Sequence, residues 1–271
     1  MILLPRRARL GNWLFQYCFA RLLAQRFGYC LASLPMPGFP GTLAELHGEE
    51  VYAPESRWAG HWPFDGYSWR RLAREEFFQA PGQRLTLAGL FQRFELIAGA
   101  REEIRGDWLR VEGALPVRES GDFAICLWLA AGGGMADGRM VDRKEGVKWS
   151  DGVLTEEEIR RLVRTVAHER LYLVTDVPGH PLVAAVRDLG AEVVSGKAME
   201  DFRFIHSFQK VAICQSTFHW WAAFLGAARE VYFPPCDRGV WGHPEPAHLA
   251  HEPGHWGIDL RVDEGRYIYE W

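Results

Sequence analysis

Residues 211–223 have the sequence Val211-Ala212-Ile213-Cys214-Gln215-Ser216-Thr217-Phe218-His219-Trp220-Trp221-Ala222-Ala223, and a second apolar run follows at Val231-Tyr232-Phe233. This pattern predicts a buried strand, a helix beginning at the hydroxyl pair Ser216-Thr217, and another buried strand. The first N–H groups of such a helix point back over the strand end, where they can bind an anion such as a nucleotide diphosphate. Many helices begin with a Ser or Thr that only caps the helix, so a plain cap is the alternative.

Strand and helix signals alternate through the whole second half of the chain. The run from Phe123 to Ala131 is almost entirely apolar, which is typical of a strand covered on both faces of a parallel sheet. Thr155-Glu156-Glu157-Glu158 is a capping box, and Pro181 suits the first position of a later helix. Further strands are predicted at 171–174 and 191–194 and a helix at 199–209.

Alternation of this kind predicts an α/β fold with a doubly wound parallel sheet, in which ligands bind at the carboxyl ends of the strands. Three segments follow strand ends and are expected to converge there: the loop after Ala131, Thr175-Asp176, and the helix start at Ser216-Thr217. The sequence therefore predicts a nucleotide-like ligand in the second half, with the first half facing it across a cleft.

The first half begins as strand, loop, helix and strand. Ile2-Leu3-Leu4 is the predicted strand, Asn12 the N-cap of the helix, and Gly28 its C-terminal stop. Residues 35–81 lack periodicity and are predicted to be loop-rich, and their closely spaced aromatic side chains either stack on sugar rings or anchor the loop to the core. A short strand is predicted at 85–87 and a helix at 101–110. The Gly- and Pro-containing, charged stretch 112–121 is the expected linker, which gives domains 1–115 and 116–271.

The composition and charge of the chain exclude some classes of binding partner. The chain has 271 residues and a formal net charge of −4 without a long basic run, which argues against nucleic acid or an anionic membrane as the main partner. We expect a small-molecule or glycan partner, with any membrane contact peripheral. The five cysteines lack metal-like spacing and are interpreted as reduced packing residues, which predicts a cytoplasmic protein. The N-terminal apolar stretch is too short for a signal peptide.

Several islands of sequence resemble the bacterial alpha-1,2-fucosyltransferase family. Arg9-Leu10-Gly11-Asn12-Trp13-Leu14-Phe15-Gln16-Tyr17 resembles its N-terminal Gly-Asn-Gln-x-Phe-Gln-Tyr signature. Gly89-Leu90-Phe91-Gln92 is similar to its Gly-Tyr-Phe-Gln segment, and Leu173-Val174-Thr175-Asp176 to its strand ending in Ser-Asp. Glu200-Asp201 and the block from Cys214 to Trp221 resemble its late Asp-Phe and Asn-Ser-Thr-Phe-Ser-Trp-Trp elements. The islands occur in the family's order and span roughly the whole chain.

The resemblance implies a GT-B-like architecture, with two facing Rossmann-like domains that each contain a parallel sheet. Residues 1–115 would form the acceptor-side domain, and 116–271 the nucleotide-sugar-binding domain with a C-terminal tail. It also implies an inverting, metal-independent transfer of a sugar from a nucleoside diphosphate donor, which in the family is GDP-fucose, to a glycan hydroxyl such as one of galactose. No cofactor is expected beyond the nucleotide-sugar co-substrate.

One motif of the family is missing. Trp128-Leu129-Ala130-Ala131-Gly132-Gly133 occupies the place of its His-x-Arg-Arg-Gly-Asp motif, so both arginines that neutralise the diphosphate are gone. Loss of such a charge-assisted contact weakens binding by about 1.5–3 kcal/mol, or tenfold to a hundredfold. Three interpretations follow: the phosphate contact has moved, the donor differs from GDP-fucose, or the protein is a non-catalytic glycan- or nucleotide-binding subunit.

Candidate site residues follow from these segments. If the phosphate contact has moved, the backbone of the Gly132-Gly133-Gly134 run or one of five arginines replaces it: Arg6, Arg7, Arg9, Arg139 and Arg143. Ser216 and Thr217 are the leading diphosphate ligands, and Asp137 is the predicted general base, with Asp142 and Glu145 as alternatives.

Other positions have a plain structural alternative beside the functional one. Thr175 and Asp176 either contact the nucleoside or cap the next turn, and Asn12 and Gln16 either line the cleft or are a helix cap and a surface glutamine. Trp220 and Trp221 are predicted to be core. Four histidines near the C-terminus match no common metal-ligand spacing, so no metal site is predicted: His243, His248, His251 and His255.

Overall fold

The structure, a computed structural model, describes residues 2–4, 9–28, 30–42, 61–64, 84–87, 91–92, 94–129, 134–136, 139–141, 154–214, 216–233, 260, 262 and 264–268. The chain divides into two compact units. Unit 1 comprises Met1–Glu112 and His243–Arg261, and unit 2 comprises Gly113–Gly242 and Val262–Trp271.

Unit 1 contains a four-stranded sheet whose strands are all parallel and run in the order β2-β1-β4-β3. The strands are β1 (Ile2–Leu4), β2 (Leu31–Ser33), β3 (His61–Phe64) and β4 (Arg84–Leu87), and helix α1 (Leu10–Phe27) connects the first two. Because parallel neighbours need a crossover, α1 packs against β1 and β2. Its end is set by Gly28, which takes the left-handed conformation at φ 66°, as predicted.

The strand β3 is missing from the sequence prediction, which has residues 35–81 as loop-rich. Its sequence His61-Trp62-Pro63-Phe64 contains a proline that cannot donate to a sheet ladder. The strand lies at the edge of the sheet, where one side of the backbone needs no partner strand. Edge position therefore explains why a proline-containing segment forms a strand here.

The predicted helix at 101–110 is helical but irregular. Two 3-10 turns, Phe94–Leu96 and Ala98–Ala100, lead into the short helix α2 (Arg101–Glu103) and then into a π-helical turn, Ile104–Trp108. The tight segment brings the Asp107 carbonyl so near Gly41 that a Cβ there would lie 2.2 Å from the oxygen, and Arg21 joins the same region by donating to the Gly41 carbonyl.

Unit 2 is built on a six-stranded parallel sheet in the order β12-β11-β10-β5-β8-β9. Its strands are β5 (Asp122–Leu127), β8 (Arg170–Thr175), β9 (Glu192–Val194), β10 (Lys210–Ala212), β11 (Glu230–Tyr232) and β12 (Tyr267–Ile268). Its helices are α3 (Glu156–Thr165), α4 (Pro181–Arg187), α5 (Ala198–His206) and α6 (Thr217–Leu225). The predicted α/β class with parallel sheets is confirmed.

Local signals position these helices as expected. The Thr155 hydroxyl accepts from the Glu158 N–H while the Glu158 carboxylate accepts from the Thr155 N–H, which completes the predicted capping box. Pro181 is the first residue of α4. Trp220 and Trp221 are fully buried, as the core assignment predicts. Close packing continues at Gly226, where an added Cβ would lie 2.5 Å from the His206 carbonyl oxygen.

Two sequence expectations near β5 are wrong. The strand ends at Leu127 rather than Ala131, because the N–H groups of Trp128 and Leu129 are bound by side chains from neighbouring strand ends instead of by a strand. The expected polar loop after it includes an antiparallel pair, β6 (Gly134–Ala136) with β7 (Arg139–Val141), so Gly134 and Arg139 lie in strands.

Three of the cysteines are buried and unoxidised, Cys18, Cys126 and Cys214, in keeping with the packing role predicted for them. Cys30 is exposed, which that prediction misses. No helix in the described ranges is both long and apolar enough to cross a bilayer.

Candidate functional site

The carboxyl edge of the unit 2 sheet brings together the segments that the sequence singles out. Because β10, β5, β8 and β9 are parallel neighbours, the residues that follow them lie side by side at one edge. In that order they are Ser216, Trp128 with Leu129, Asp176, which directly follows Thr175 at the end of β8, and Gly196. The predicted convergence of Thr175-Asp176 with the helix start at Ser216 is therefore observed.

Helix α6 begins at this edge with Ser216 as its N-cap. The Trp220 N–H donates to the Ser216 carbonyl at 2.9 Å, which is the first bond of the helix. The N–H groups of Thr217, Phe218 and His219 are therefore not used within the helix. The Ser216 side chain makes no capping hydrogen bond, although it is only 8% exposed. The plain cap that the sequence allowed is thus not formed, and the hydroxyl remains available to a ligand.

The end of β5 is fastened to both neighbouring strand ends. The Trp128 N–H donates to Cys214 Sγ at 3.3 Å on the β10 side, and the Leu129 N–H donates to Asp176 Oδ1 at 2.8 Å on the β8 side. These are the positions at which the resembled family carries the first residues of its arginine motif. In this chain the segment is held through its backbone N–H groups, one of which donates to the Asp176 carboxylate.

A thiol–imidazole pair lies directly beside the helix start. Cys214 Sγ and His219 Nδ1 are 3.2 Å apart, and the Ser216 N–H donates to the Cys214 carbonyl at 2.7 Å. Burial raises the pKa of the Cys214 thiol to about 12 and lowers the pKa of His219 to about 3. Both groups are therefore uncharged at neutral pH, and the thiol is not an activated nucleophile.

The two predicted residues after β8 have different surroundings. Thr175 is 1% exposed and its Oγ1 accepts from the Val177 N–H at 3.3 Å, which is a local turn contact. Asp176 is exposed and holds the Leu129 N–H. Asp176 is thus the residue of the pair that a ligand can reach, and nucleoside binding by either residue stays a prediction.

Asp201 lies at the carboxyl edge and was not selected as a candidate by sequence reasoning. It lies in the first turn of α5 at the same edge, and its Oδ1 accepts from the Gly196 N–H at 2.8 Å. Its pKa is raised by partial burial and by the nearby carboxylates of Glu200 and Asp176, although the Gly196 bond opposes this. The available signal was its position in the Glu200-Asp201 island of the family resemblance.

In unit 1 the structure corrects the roles expected of the N-terminal signature. Helix α1 begins at Leu10 with Arg9 as its N-cap, so Asn12 is not the cap. The Asn12 Oδ1 instead accepts from Gln92 Nε2, which joins two motif islands 80 residues apart. Gln16 is fully buried rather than a surface residue, and Arg9 is exposed.

The backbone around Gln92 is unusual. Phe91 has φ 53°, a left-handed conformation that costs a non-glycine residue about 1–2 kcal/mol. Its ring stacks on Phe19 with centroids 4.5 Å apart. Packing of Phe91 therefore holds Gln92, which is 5% exposed, against the start of α1.

Several predicted site residues lie outside the described residues. They are Asp137, Asp142, Glu145, Gly132, Gly133, Arg6, Arg7 and Arg143. The four C-terminal histidines, for which no metal site is predicted, also lie outside the described residues. The side chain of Arg139 is also outside the description. Within the described part of the chain, no cluster of three or more His, Cys, Asp or Glu side chains is arranged to hold a metal ion.

The comparisons with known proteins gave matches by structure but not by sequence. No family model and no curated protein matches the chain. The chain is similar to the crystal structure of the alpha-1,6-fucosyltransferase NodZ soaked with GDP-fucose, with 15% sequence identity and a TM-score of 0.44. The match covers 85% of this chain and 93% of that chain. NodZ from Bradyrhizobium is similar at 15% identity with a TM-score of 0.45 over the same shares, and NodZ co-crystallised with GDP at 15% with 0.43.

Proposed function

We propose that this protein is an inverting glycosyltransferase that moves a sugar from a nucleoside diphosphate donor, GDP-fucose or a relative, to a glycan hydroxyl. The observation that carries the proposal is the start of α6, where Ser216 is the N-cap and its largely buried side chain makes no capping hydrogen bond. A helix start of this kind at the carboxyl edge of a parallel sheet is suited to a diphosphate. The order of the motif islands favours the fucosyltransferase type of donor.

The proposed reaction assigns a role to each side of the sugar. A general base, for which Asp137 is the candidate, takes the proton of the acceptor hydroxyl while that oxygen forms a bond to the anomeric carbon. The bond from the anomeric carbon to the diphosphate breaks, and the diphosphate leaves with the electron pair. Ser216, Thr217 and the helix N–H groups stabilise the negative charge that develops on it. Attack from the face opposite the leaving group inverts the anomeric configuration.

The two units divide the substrates in this proposal. Unit 2 would bind the donor, with Asp176 near the nucleoside and the backbone of Gly132-Gly133 near the phosphates. Unit 1 would bind the acceptor, and Arg9 and Asn12 are its candidate ligand-binding residues. The Asn12–Gln92 bond supports a fixed orientation of the Asn12 amide for such a contact.

A non-catalytic nucleotide- or glycan-binding role is the second candidate. Trp128 and Leu129 take the place of arginine-motif residues, and their N–H groups are occupied by Cys214 and Asp176. The Trp128-Leu129 segment can therefore help to shape a binding site, but it supplies no positive charge to stabilise a leaving diphosphate.

A thermal-shift panel of GDP, UDP, ADP and their sugar conjugates tests binding. A ligand at 100 times its dissociation constant stabilises the fold by about 2.7 kcal/mol, and we expect a guanosine or related diphosphate to do so. An unchanged melting curve across the whole panel would refute both candidates for the nucleotide site.

A second measurement separates the enzyme from the binder. The full-length protein is incubated with GDP-fucose and a galactose-terminated oligosaccharide, and released GDP and fucosylated product are quantified. We expect acceptor-dependent release. Binding of the donor without release, with this and other nucleotide sugars, would favour the non-catalytic candidate.

A further inference from the structure

The contacts of His219 are unusual for a residue in the first turn of a helix. It is the third residue of α6 and is 6% exposed, yet its Nδ1 faces a thiol rather than a charged group. Apart from this contact and an edge-on ring contact with Phe218, whose centroid is 5.7 Å away, the described residues give the imidazole no hydrogen-bond partner. The described residues thus give Nε2 of this largely buried ring no hydrogen-bond partner.

The state of the Cys214 thiol determines which ring nitrogen carries the proton. Sγ already accepts the Trp128 N–H at 3.3 Å, and the thiol keeps its own proton because burial raises its pKa. That proton can be donated to Nδ1, 3.2 Å away. A neutral imidazole that accepts at Nδ1 must carry its proton on Nε2.

We propose that His219 is a ligand-binding residue of this site, a neutral imidazole that donates its Nε2–H to the phosphate of a bound nucleoside diphosphate, with Cys214 holding the ring in that tautomer. The inference rests on the proposed function, since it assigns the ligand of the same helix start. Residues of the first turn surround an anion bound at a helix N-terminus. His219 stands where the resembled family has a serine, and this chain lacks the family's arginine pair.

The chain of contacts explains why a neutral donor suits this position. The backbone of Trp128, the thiol of Cys214 and the ring of His219 form one line of hydrogen bonds from the end of β5 to the first turn of α6. A histidinium here would be an unpaired charge in a buried place, which is costly. A neutral N–H avoids that cost and still strengthens binding to an anionic oxygen.

The dissociation constant for GDP, measured by calorimetry on the full chain, tests the role of His219. His219→Phe keeps an aromatic ring and removes the donor, and we expect it to weaken GDP binding about tenfold or more. His219→Gln places an amide N–H near the position of Nε2, and we expect it to bind within about threefold of the wild type. Equal GDP affinity of His219→Phe and the wild type would overturn the inference.

The positioning role of Cys214 has its own pair of variants. Cys214→Ser retains an O–H donor to Nδ1, whereas Cys214→Ala retains none. We expect the alanine variant to bind GDP several-fold more weakly and the serine variant to recover most of that loss. A purely packing role for Cys214 predicts instead that both variants bind alike, which would overturn the tautomer assignment.

The tautomer can also be observed directly, even if His219→Phe fails to fold. Correlation of imidazole nitrogens with ring protons by NMR distinguishes Nε2–H from Nδ1–H, and the conservative His219→Gln variant assigns the signal. We expect Nε2–H in the wild type, and the Nδ1–H form would refute the proposal. If the wild type binds no nucleoside diphosphate at all, the proposed function itself fails, whereas normal binding by the wild type with no effect of His219→Phe removes only this inference.

Discussion

In the six-stranded sheet of unit 2, polar groups have different partners at the amino edge, where the parallel strands begin, and at the carboxyl edge, where they end. At the amino edge the carboxylate of Asp122, 1% exposed, accepts from Arg118 at 3.0 Å and from Arg170 at 2.6 Å. The Arg118 guanidinium also lies 4.6–4.8 Å from the ring centres of Tyr172, Phe204 and Phe208. The buried carboxylate at this edge is therefore paired with two guanidinium groups.

The contacts shown at the carboxyl edge use backbone N–H donors in place of guanidinium groups. Backbone N–H groups bind a thiol and one carboxylate oxygen, and the hydroxyl of Ser216 caps nothing. If the proposed function holds, we expect the amino edge to contribute stability and the carboxyl edge to contribute ligand binding. Substitutions at the first edge should therefore change the free energy of unfolding, and those at the second should change ligand affinity.

The largest expected effect is at Asp122. Asp122→Ala leaves the facing guanidinium groups of Arg118 and Arg170 without their buried acceptor, and we expect a loss of about 3 kcal/mol in unfolding free energy. Urea denaturation followed by circular dichroism measures the loss, with the exposed neighbour Glu119→Ala as the control, expected within about 0.5 kcal/mol of wild type. GDP affinity of the folded variant should be unchanged. A variant that loses affinity but not stability would contradict the division between the edges.

A pair of serines, one at each edge, gives the next test. Ser216→Ala removes a hydroxyl that makes no cap, so we expect about a tenfold loss of GDP affinity and little loss of stability. Ser207 at the amino edge donates to the Phe204 carbonyl at 2.6 Å and is 1% exposed. Ser207→Ala should cost about 1 kcal/mol of stability and leave GDP affinity intact. Calorimetric titration measures the GDP affinity of both variants, and urea denaturation measures their unfolding free energy. Equal changes in both quantities for the two variants would contradict the difference between the edges.

A smaller effect is expected for Arg118→Lys. The ammonium keeps the positive charge near Asp122 but loses the contacts of the guanidinium group with the three rings, which we expect to cost about 1 kcal/mol. Urea denaturation in low and high salt separates the two contributions, since the loss of these ring contacts persists at high salt. If lysine restores full stability, charge alone accounts for the contribution of Arg118.

The features that sequence predicts well are those coded locally. Thr155 and Glu158 are three residues apart, and Trp220 and Trp221 lie within one continuous apolar helix, so pattern and capping rules are sufficient. The alternation of strands and helices likewise needs only neighbouring residues. For this reason the α/β class and the meeting of Asp176 and Ser216 at one edge could be predicted.

The features that sequence misses depend on residues far apart in the chain. Trp128 and Cys214 are 86 residues apart and meet only because β5 and β10 are sheet neighbours. The pairing of Asn12 with Gln92, and the position of Asp201 beside Asp176, have the same origin. No local pattern shows that Asn12, which sequence predicts as a helix cap, binds the distant amide of Gln92 instead. Nor does one show that the short proline-containing segment His61–Phe64 forms an edge strand.

The smallest expected effect, at Asp201, separates stability from function within one residue. Partial burial and neighbouring carboxylates raise the pKa of Asp201, so the folded state binds its proton more tightly than the unfolded state does. The charged side chain therefore reduces stability as pH rises through the raised pKa, and this reduction is absent below the ordinary value of 3.8. Asp201→Asn keeps an acceptor for the Gly196 N–H and removes the charge. We expect the variant to be slightly more stable than the wild type at pH 7 and equally stable near pH 3, as measured by urea denaturation across pH.

The same variant should also bind GDP more weakly. A carboxylate that lowers the stability of the folded protein is expected to be retained where it contributes to ligand binding. If Asp201→Asn is less stable than the wild type at pH 7 and binds GDP normally, the role of Asp201 is structural, like that of Asp122.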